Sequence, residues 1–378
     1  MIDHTGILTA VAGFGLNDAN LRLADRELDP VSWQWLLAEA TSHGITGHLV
    51  AALENGALPA NSTQWFESLN HHETAVGSDL LRERLLIETL TIFGAAEIRM
   101  RVLKGPAVAH IVYPNPAQRS FRDVDVLVPG RDYDRAIDVL LAAGGRLRYA
   151  EPRPGFNRRF GKGACVTTPS GLELDVHRTL ISGPFGLAFE PGELFETNTR
   201  FRLGGQAVEA LDPEVQFVHA CIHAQLGDRP PRLVPLRDVA QILLHSSIDI
   251  ARVRELCRRW RCGIVVQEAI RSAWAVFTIE RPNGLDTWVR EYEPSNFERW
   301  ALGSYFGSRP SYARQAVGGL WAIPSVPRKF AYARALLMPT GSYIRERDGS
   351  YLRRLGRGFH VFAGWRPTRR RRKSTSPR

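Results

Sequence analysis

Apolar residues recur at helical spacing through most of the first hundred positions. Asp29 is placed to cap a helix that Pro30 begins, and Trp33, Leu36, Leu37 and Ala40 form one stripe of a helical stretch expected to reach about Leu53. A second helical stretch is expected from about Asn61 through Ile98, carried by Leu80, Leu81, Leu85, Ile87 and Leu90 and eased or broken near Gly77 and Gly94. The texture then changes. Val102-Leu103-Lys104 meets Gly105-Pro106, the pattern of a strand turning into a helix. Asp123-Val124-Asp125-Val126-Leu127-Val128, stopped by Pro129-Gly130, predicts a strand buried on at least one face. A helix is predicted from Asp132 to Ala143, closed by Gly144-Gly145. Two β runs, at Cys165 to Thr168 and Leu172 to His177, flank the turn Pro169-Ser170-Gly171 and predict a hairpin in the same sheet. From Glu214 to Phe277 the helical period returns.

This order predicts an α+β chain in which a mixed sheet is flanked by helices. Its expected divisions are a helical N-terminal region over residues 1–98, a sheet-bearing core over 99–205 and a helical domain over 206–327. A basic helical segment over 328–365 and a disordered basic tail over 366–378 complete the chain.

Charge changes the picture once it is divided along the chain. The net +10 suggests a polyanion partner, but residues 328 to 378 hold 15 Lys or Arg against only Glu346 and Asp348, which leaves the rest slightly acidic. Weak contact with nucleic acid or an anionic surface is therefore expected of the tail, not of the body. Cys165, Cys221, Cys257 and Cys262 form no metal or redox pairs and read as reduced core thiols. No apolar run reaches the roughly 18 residues of a membrane span and the start lacks signal-peptide character, so a cytoplasmic protein is expected.

The chemistry gathers on two β runs. Alternation along a strand puts Asp123 and Asp125 on one face, opposite Val124, Val126 and Val128. Like charges so placed call for a cation, and Mg²⁺ is usually held by one or two carboxylates plus phosphate oxygens. On the second run Glu173, Asp175 and His177 share a face, so Asp175 can reach the same metal, with Glu173 as its competitor. At the turn, Lys104 and Gly105 would offer charge and backbone N–H groups to a phosphate at a helix N-terminus, with a structural ion pair the equal alternative for Lys104, and Arg119 and Arg122 are placed to add charge.

A strand-turn-helix with a glycine, a strand bearing Asp-x-Asp and a later strand bearing a third carboxylate together resemble the DNA polymerase β nucleotidyltransferase superfamily. Leu103-Lys104-Gly105, the run from Arg119 to Val128, and Glu173-Leu-Asp175-Val-His177 are similar to its bacterial group of uncharacterised nucleotidyltransferases. The likeness spans residues 30 to 350 in outline, and the stretch from Asp212 through His219 and His223 to Val239 resembles the group's helical second half. In most of the wider superfamily the turn is Gly-Ser; Lys104-Gly105 departs from that in the manner of the subgroup. The resemblance implies a polymerase β-like core and transfer of a nucleoside monophosphate from an NTP to an unidentified acceptor, with release of pyrophosphate. It also implies two Mg²⁺ ions on Asp123, Asp125 and Asp175, the last a candidate proton acceptor, and His177 orienting the acceptor or a carboxylate.

Other features are weaker. His219 and His223, four apart on a predicted helix, read first as helix packing and second as lining an acceptor pocket. The stretch Gly155 to Gly163 fails as a Walker loop but can bring Arg158, Arg159 or Lys162 over the site. From a different class, the alternative reading is a catalytically inactive relative that binds a protein or nucleic acid.

Overall fold

A computed structural model of the chain describes residues 4–16, 23–189, 191–228, 230–279, 285–306 and 312–347. The tail expected over 366–378 lies outside the described residues, as does the part of the basic segment from residue 348 on.

Four helices open the chain: α1 (His4–Gly13), α2 (Pro30–His43), α3 (Thr46–Glu54) and α4 (Ser62–Ala95). Asp29 caps α2 by accepting from the N–H groups of Val31 and Ser32, as its position implies. The helix expected to continue to Leu53 instead stops at Gly44, whose φ of 73° is left-handed, and α3 starts anew. The reverse holds for α4. It is one 34-residue helix that passes through Gly77 and Gly94 without a break, opened by a capping box between Asn61 and Gln64.

Strands and helices then alternate: β1 (Arg101–Val102), α5 (Lys104–Val112), β2 (Val124–Leu127), α6 (Tyr133–Ala142), β3 (Arg146–Leu147), α7 (Phe156–Arg159), β4 (Gly163–Thr167), β5 (Glu173–His177), α8 (Gly183–Ala188), β6 (Thr199–Leu203) and β7 (Gln206–Ala210). The seven strands form one mixed sheet in the order β3-β4-β5-β2-β1-β7-β6. β2 runs parallel to β5 and β1 parallel to β7, and the remaining neighbours are antiparallel. The boundary expected at residue 205 falls inside the β6–β7 hairpin. Because β7 pairs with β1, the sheet runs on to Ala210.

Helices complete the chain: α9 (Pro213–Leu226), α10 (Leu233–His245), α11 (Ile250–Trp260), α12 (Gly263–Phe277), α13 (Leu285–Glu291), α14 (Asn296–Tyr305), α15 (Tyr312–Ala322), α16 (Val326–Leu337) and α17 (Gly341–Arg347). Two cores result. Val124, Val126, Leu174 and Val176 pack one sheet face against Leu86 and Phe93 of α4 and Ala136 and Leu140 of α6. Leu103 and Leu127 join the other, which α1 to α3 share with α9 to α14. The N-terminal helices and the later helical region thus bury their apolar faces together. Among the described residues, no helix is long and apolar enough to cross a membrane.

Candidate metal and nucleotide site

Alternation along β2 and β5 decides where the acids face. Val124, Val126, Leu174 and Val176 take the α4 side, so Asp125, Asp175 and His177 are left on the side of the helical core. The parallel register sets Asp125 directly beside Asp175, and Leu127 beside His177. One ligand atom from each of Asp125, Asp175 and His177 lies within 4.8 Å of the others. Asp123, just before β2, is partly exposed, whereas Asp125 retains only 1 % of its exposure.

Lys104 ties the two acids of β2 together. Its Nζ lies 2.9 Å from Asp123 Oδ2 and 2.8 Å from Asp125 Oδ2. To reach them the residue takes φ of 30°, uncommon for a residue with a side chain, and Gly105 then kinks the chain into α5. On the far side, His177 Nε2 lies 2.7 Å from Asp125 Oδ1. Burial alone would raise the Asp125 carboxyl, but Lys104 and His177 hold it well below the usual carboxylate range. Burial also opposes the charge on Lys104, yet Asp125 and Asp123 raise its pKa above that of an ordinary lysine.

Glu173 does not compete for this place. It forms an exposed ion pair with Arg148, on β5 but away from the buried acids. Arg119 is not aimed at the site either. Its Nη2 donates to Asp238 Oδ2 at 2.6 Å and its Nε to Oδ1 at 3.2 Å, while Nη1 donates to the carbonyl of Ser120. Arg122 donates to the Ser42 carbonyl at 2.6 Å. Arg119 is thus held in a buried pair with α10, while Arg122, exposed, touches the end of α2.

Three residues outside the leading sequence expectations belong here. Lys162 lies just before β4, its carbonyl accepting from the N–H of Arg178 beyond β5. Burial lowers its pKa, while the charges of Asp125, Asp175 and Asp123 act to raise it. No described residue lies at ion-pair distance from its ammonium. By contrast, Arg158 pairs with Asp134 and Arg159 donates to the Gly155 carbonyl. His219 on α9 is 4 % exposed, and burial followed by the charge on Lys104 pushes its pKa down to about 3. His223, one turn on and half-buried, is also held far down by burial and by Lys104. The face of α9 expected to serve packing first thus feels the charges of the acidic site. Four-residue spacing signals the shared face but not its direction.

Paired acids on the buried central strands, a buried lysine and an opposing helical wall suit a polyanionic substrate with its cation. The family model described as uncharacterised nucleotidyltransferase matches residues 29–278, and the chain belongs to that family. The solution structure of the antibiotic-resistance factor ANT(2'')-Ia is similar at TM-score 0.33 and 16% identity, over 53% of this chain and 96% of that one. A crystal structure of an antigenic nucleotidyltransferase-like protein from Paracoccidioides brasiliensis is similar at TM-score 0.31 and 15% identity, over 53% and 96%. At these scores the likeness is one of outline only. Comparison with curated proteins finds no match.

Proposed function

We propose that the protein transfers a nucleoside monophosphate from an NTP to a hydroxyl or similar acceptor, with Mg²⁺ held by Asp123, Asp125 and Asp175. The observation that carries this reading is the in-register placement of Asp125 beside Asp175 on neighbouring parallel strands. The donor set fits the ion: two hard carboxylates, Asp125 and Asp175, converge with His177, while Asp123 stands beside them, linked to Asp125 through Lys104. When bound, one or two such ions would neutralise charge on the reacting phosphate and on the departing pyrophosphate.

The chain's own residues supply the rest. His177 already touches Asp125 through Nε2, so its role is to orient that carboxylate and not to serve as a ligand. Lys104, held by both acids of β2, keeps them side by side. Lys162 then becomes the cation for the nucleotide phosphates, with Gly105 at the head of α5 allowing close approach. Arg119 and Arg122 support the walls of the site. Asp175 takes the acceptor's proton as the acceptor oxygen bonds to the α-phosphorus. The bond from that phosphorus to the β-phosphate oxygen breaks, and pyrophosphate leaves with the electron pair. His219 and His223 face the acceptor.

The test offers ATP, CTP, GTP and UTP with Mg²⁺ and a panel of hydroxyl and amine acceptors, and measures pyrophosphate. Asp125→Asn and Asp175→Asn are each expected to lower turnover by about a thousandfold or more, the scale of losing metal-borne charge stabilisation. Mn²⁺ binding, followed by electron paramagnetic resonance, should weaken in the same variants. A wild-type chain that binds neither Mn²⁺ nor NTP would overturn the proposal.

A further inference from the structure

We propose that α16 lies on anionic membrane surface, independently of the catalytic reading above. Five large apolar residues in and beside this helix face solvent: Trp321 at 72%, Val326 at 75%, Phe330 at 72%, Leu337 at 69% and Met338 at 56% exposure. Single exposed apolar residues are ordinary on soluble proteins, but large contiguous patches of them are rare and mark contact surfaces. At roughly 100° per residue, Val326, Phe330, Ala333 and Leu337 fall within about 60° of arc, which makes them a single stripe along the helix.

The opposite face is already occupied. Tyr332 and Ala335 are buried, and Tyr332 packs against Phe156 and Phe160 of the loop that leads to Lys162. The stripe is therefore not the helix's route into the core. Lys329 flanks it on one side and Arg334 on the other. No acid occurs in α16, and residues 328 to 378 carry 15 Lys or Arg against two acids.

Charge decides the occupant. An apolar strip between cations matches a surface with acyl chains beneath anionic headgroups, where the apolar face sinks and the cations stay at headgroup level. A second copy of the chain would oppose cation to cation. Nucleic acid would satisfy the cations but leave the stripe in water. The helix is 12 residues long and lies too short and too cationic to span, so the contact is in the plane of the surface.

The experiment is co-sedimentation of the full chain with vesicles of phosphatidylcholine alone or with one-third phosphatidylglycerol, at low and high salt. Binding is expected to the anionic vesicles, weakened by salt, and near absent on the neutral ones. Phe330→Ser with Leu337→Ser should lower the partition coefficient about tenfold or more, from lost apolar insertion. A tryptophan emission blue shift on binding, carried by Trp321 and removed by Trp321→Phe, would place the helix at the surface. Because all these side chains are exposed, unchanged thermal melting is expected and shows that the variants fold. Equal binding by the double variant would assign the contact to the basic tail alone and overturn the proposal. So would concentration-dependent dimerisation that the same variant abolishes, or binding to single-stranded RNA with none to vesicles.

Discussion

Replacing Arg119 with methionine tests whether this arginine is structural or binds phosphate. Its guanidinium and the Asp238 carboxylate are nearly removed from water, at 4% and 3% side-chain exposure, and Tyr113 donates to the same carboxylate at 2.9 Å. Burial works against the arginine's charge, and Asp238 more than restores it. Taking away Arg119 leaves a buried anion with one neutral donor, a loss of about 3–5 kcal/mol for a broken buried pair. Against a total stability of about 5–15 kcal/mol this is a large fraction. Arg119→Met with Asp238→Leu removes both charges and leaves only the Tyr113 hydroxyl without its acceptor, at about 1–3 kcal/mol. The double variant should therefore be more stable than Arg119→Met alone. Urea unfolding of the four proteins gives the coupling energy directly. A single variant costing under about 1 kcal/mol, combined with strongly weakened NTP binding, would return Arg119 to the phosphates and refute the structural role.

Other expectations follow from the same geometry. Lys162→Met should raise the KM for NTP about ten- to a hundredfold, the loss of charge-assisted hydrogen bonds, and leave Mn²⁺ affinity near wild type; the reverse pattern in steady-state and titration data would contradict its assignment. Glu173→Ala breaks only an exposed pair and should change stability by less than about 1 kcal/mol and turnover hardly at all, as thermal melts and pyrophosphate release would show. Gly163→Ala should cost several kcal/mol, on the order of 3 or more, in chemical unfolding, because a Cβ there would stand 2.1 Å from the Val176 carbonyl oxygen and 2.9 Å from His177 Cα. His219 titrates at about 3 when folded against 6.5 when unfolded, so only the unfolded chain takes up its proton as pH falls below 6.5. Stability is full above that pH and declines toward pH 3, by about 3 kcal/mol at pH 4.5 from this residue. His219→Leu should flatten the acid limb of stability against pH by that amount, and an unchanged slope would show that His219 is protonated in the fold. Asp79 acts oppositely, since burial raises it to about 6 and it gains a proton first in the folded chain.

Much of the site was legible because strand alternation is a local rule. Asp123-Val-Asp125-Val and Leu174-Asp175-Val176-His177 announce which residues share a face, and the observed cores obey that pattern. The register that sets Asp125 beside Asp175 is not local, since the two are joined only through the sheet. For the same reason Arg119 and Arg122 looked available for phosphate: nothing near them in sequence reveals Asp238, 119 residues on, or the Ser42 carbonyl. Glycine was ambiguous in both directions. Gly44 ends a helix because its left-handed φ lets the N–H reach the Ala40 and Thr41 carbonyls, while Gly77 sits inside α4 with no conformational demand. β6 and β7 were missed although Gly204-Gly205 between the alternating runs Thr199–Leu203 and Gln206–Ala210 is a local hairpin signal; only the pairing of β7 with β1 is not local.

The Lys-Gly turn ties these threads into one electrostatic problem. A serine at that turn would offer a hydroxyl to phosphate, whereas lysine brings a full charge into a place where Asp123 and Asp125 already stand. Its ammonium bridges them at 2.9 and 2.8 Å, and a donor held so closely by two anions has little left for a nucleotide. Under the proposed transfer, a polyphosphate entering beside these carboxylates still needs a cation from the protein. Arg119 is paired with Asp238 and Arg122 donates to the Ser42 carbonyl, so in the proposed reaction that demand falls on Lys162, whose charge burial disfavours and which an incoming anion would restore. The loop that supplies it is held by Phe156 and Phe160 against Tyr332 of α16. Lys162, which the proposed transfer uses as its cation, and the helix with the exposed apolar stripe thus belong to one packed unit through Phe156, Phe160 and Tyr332.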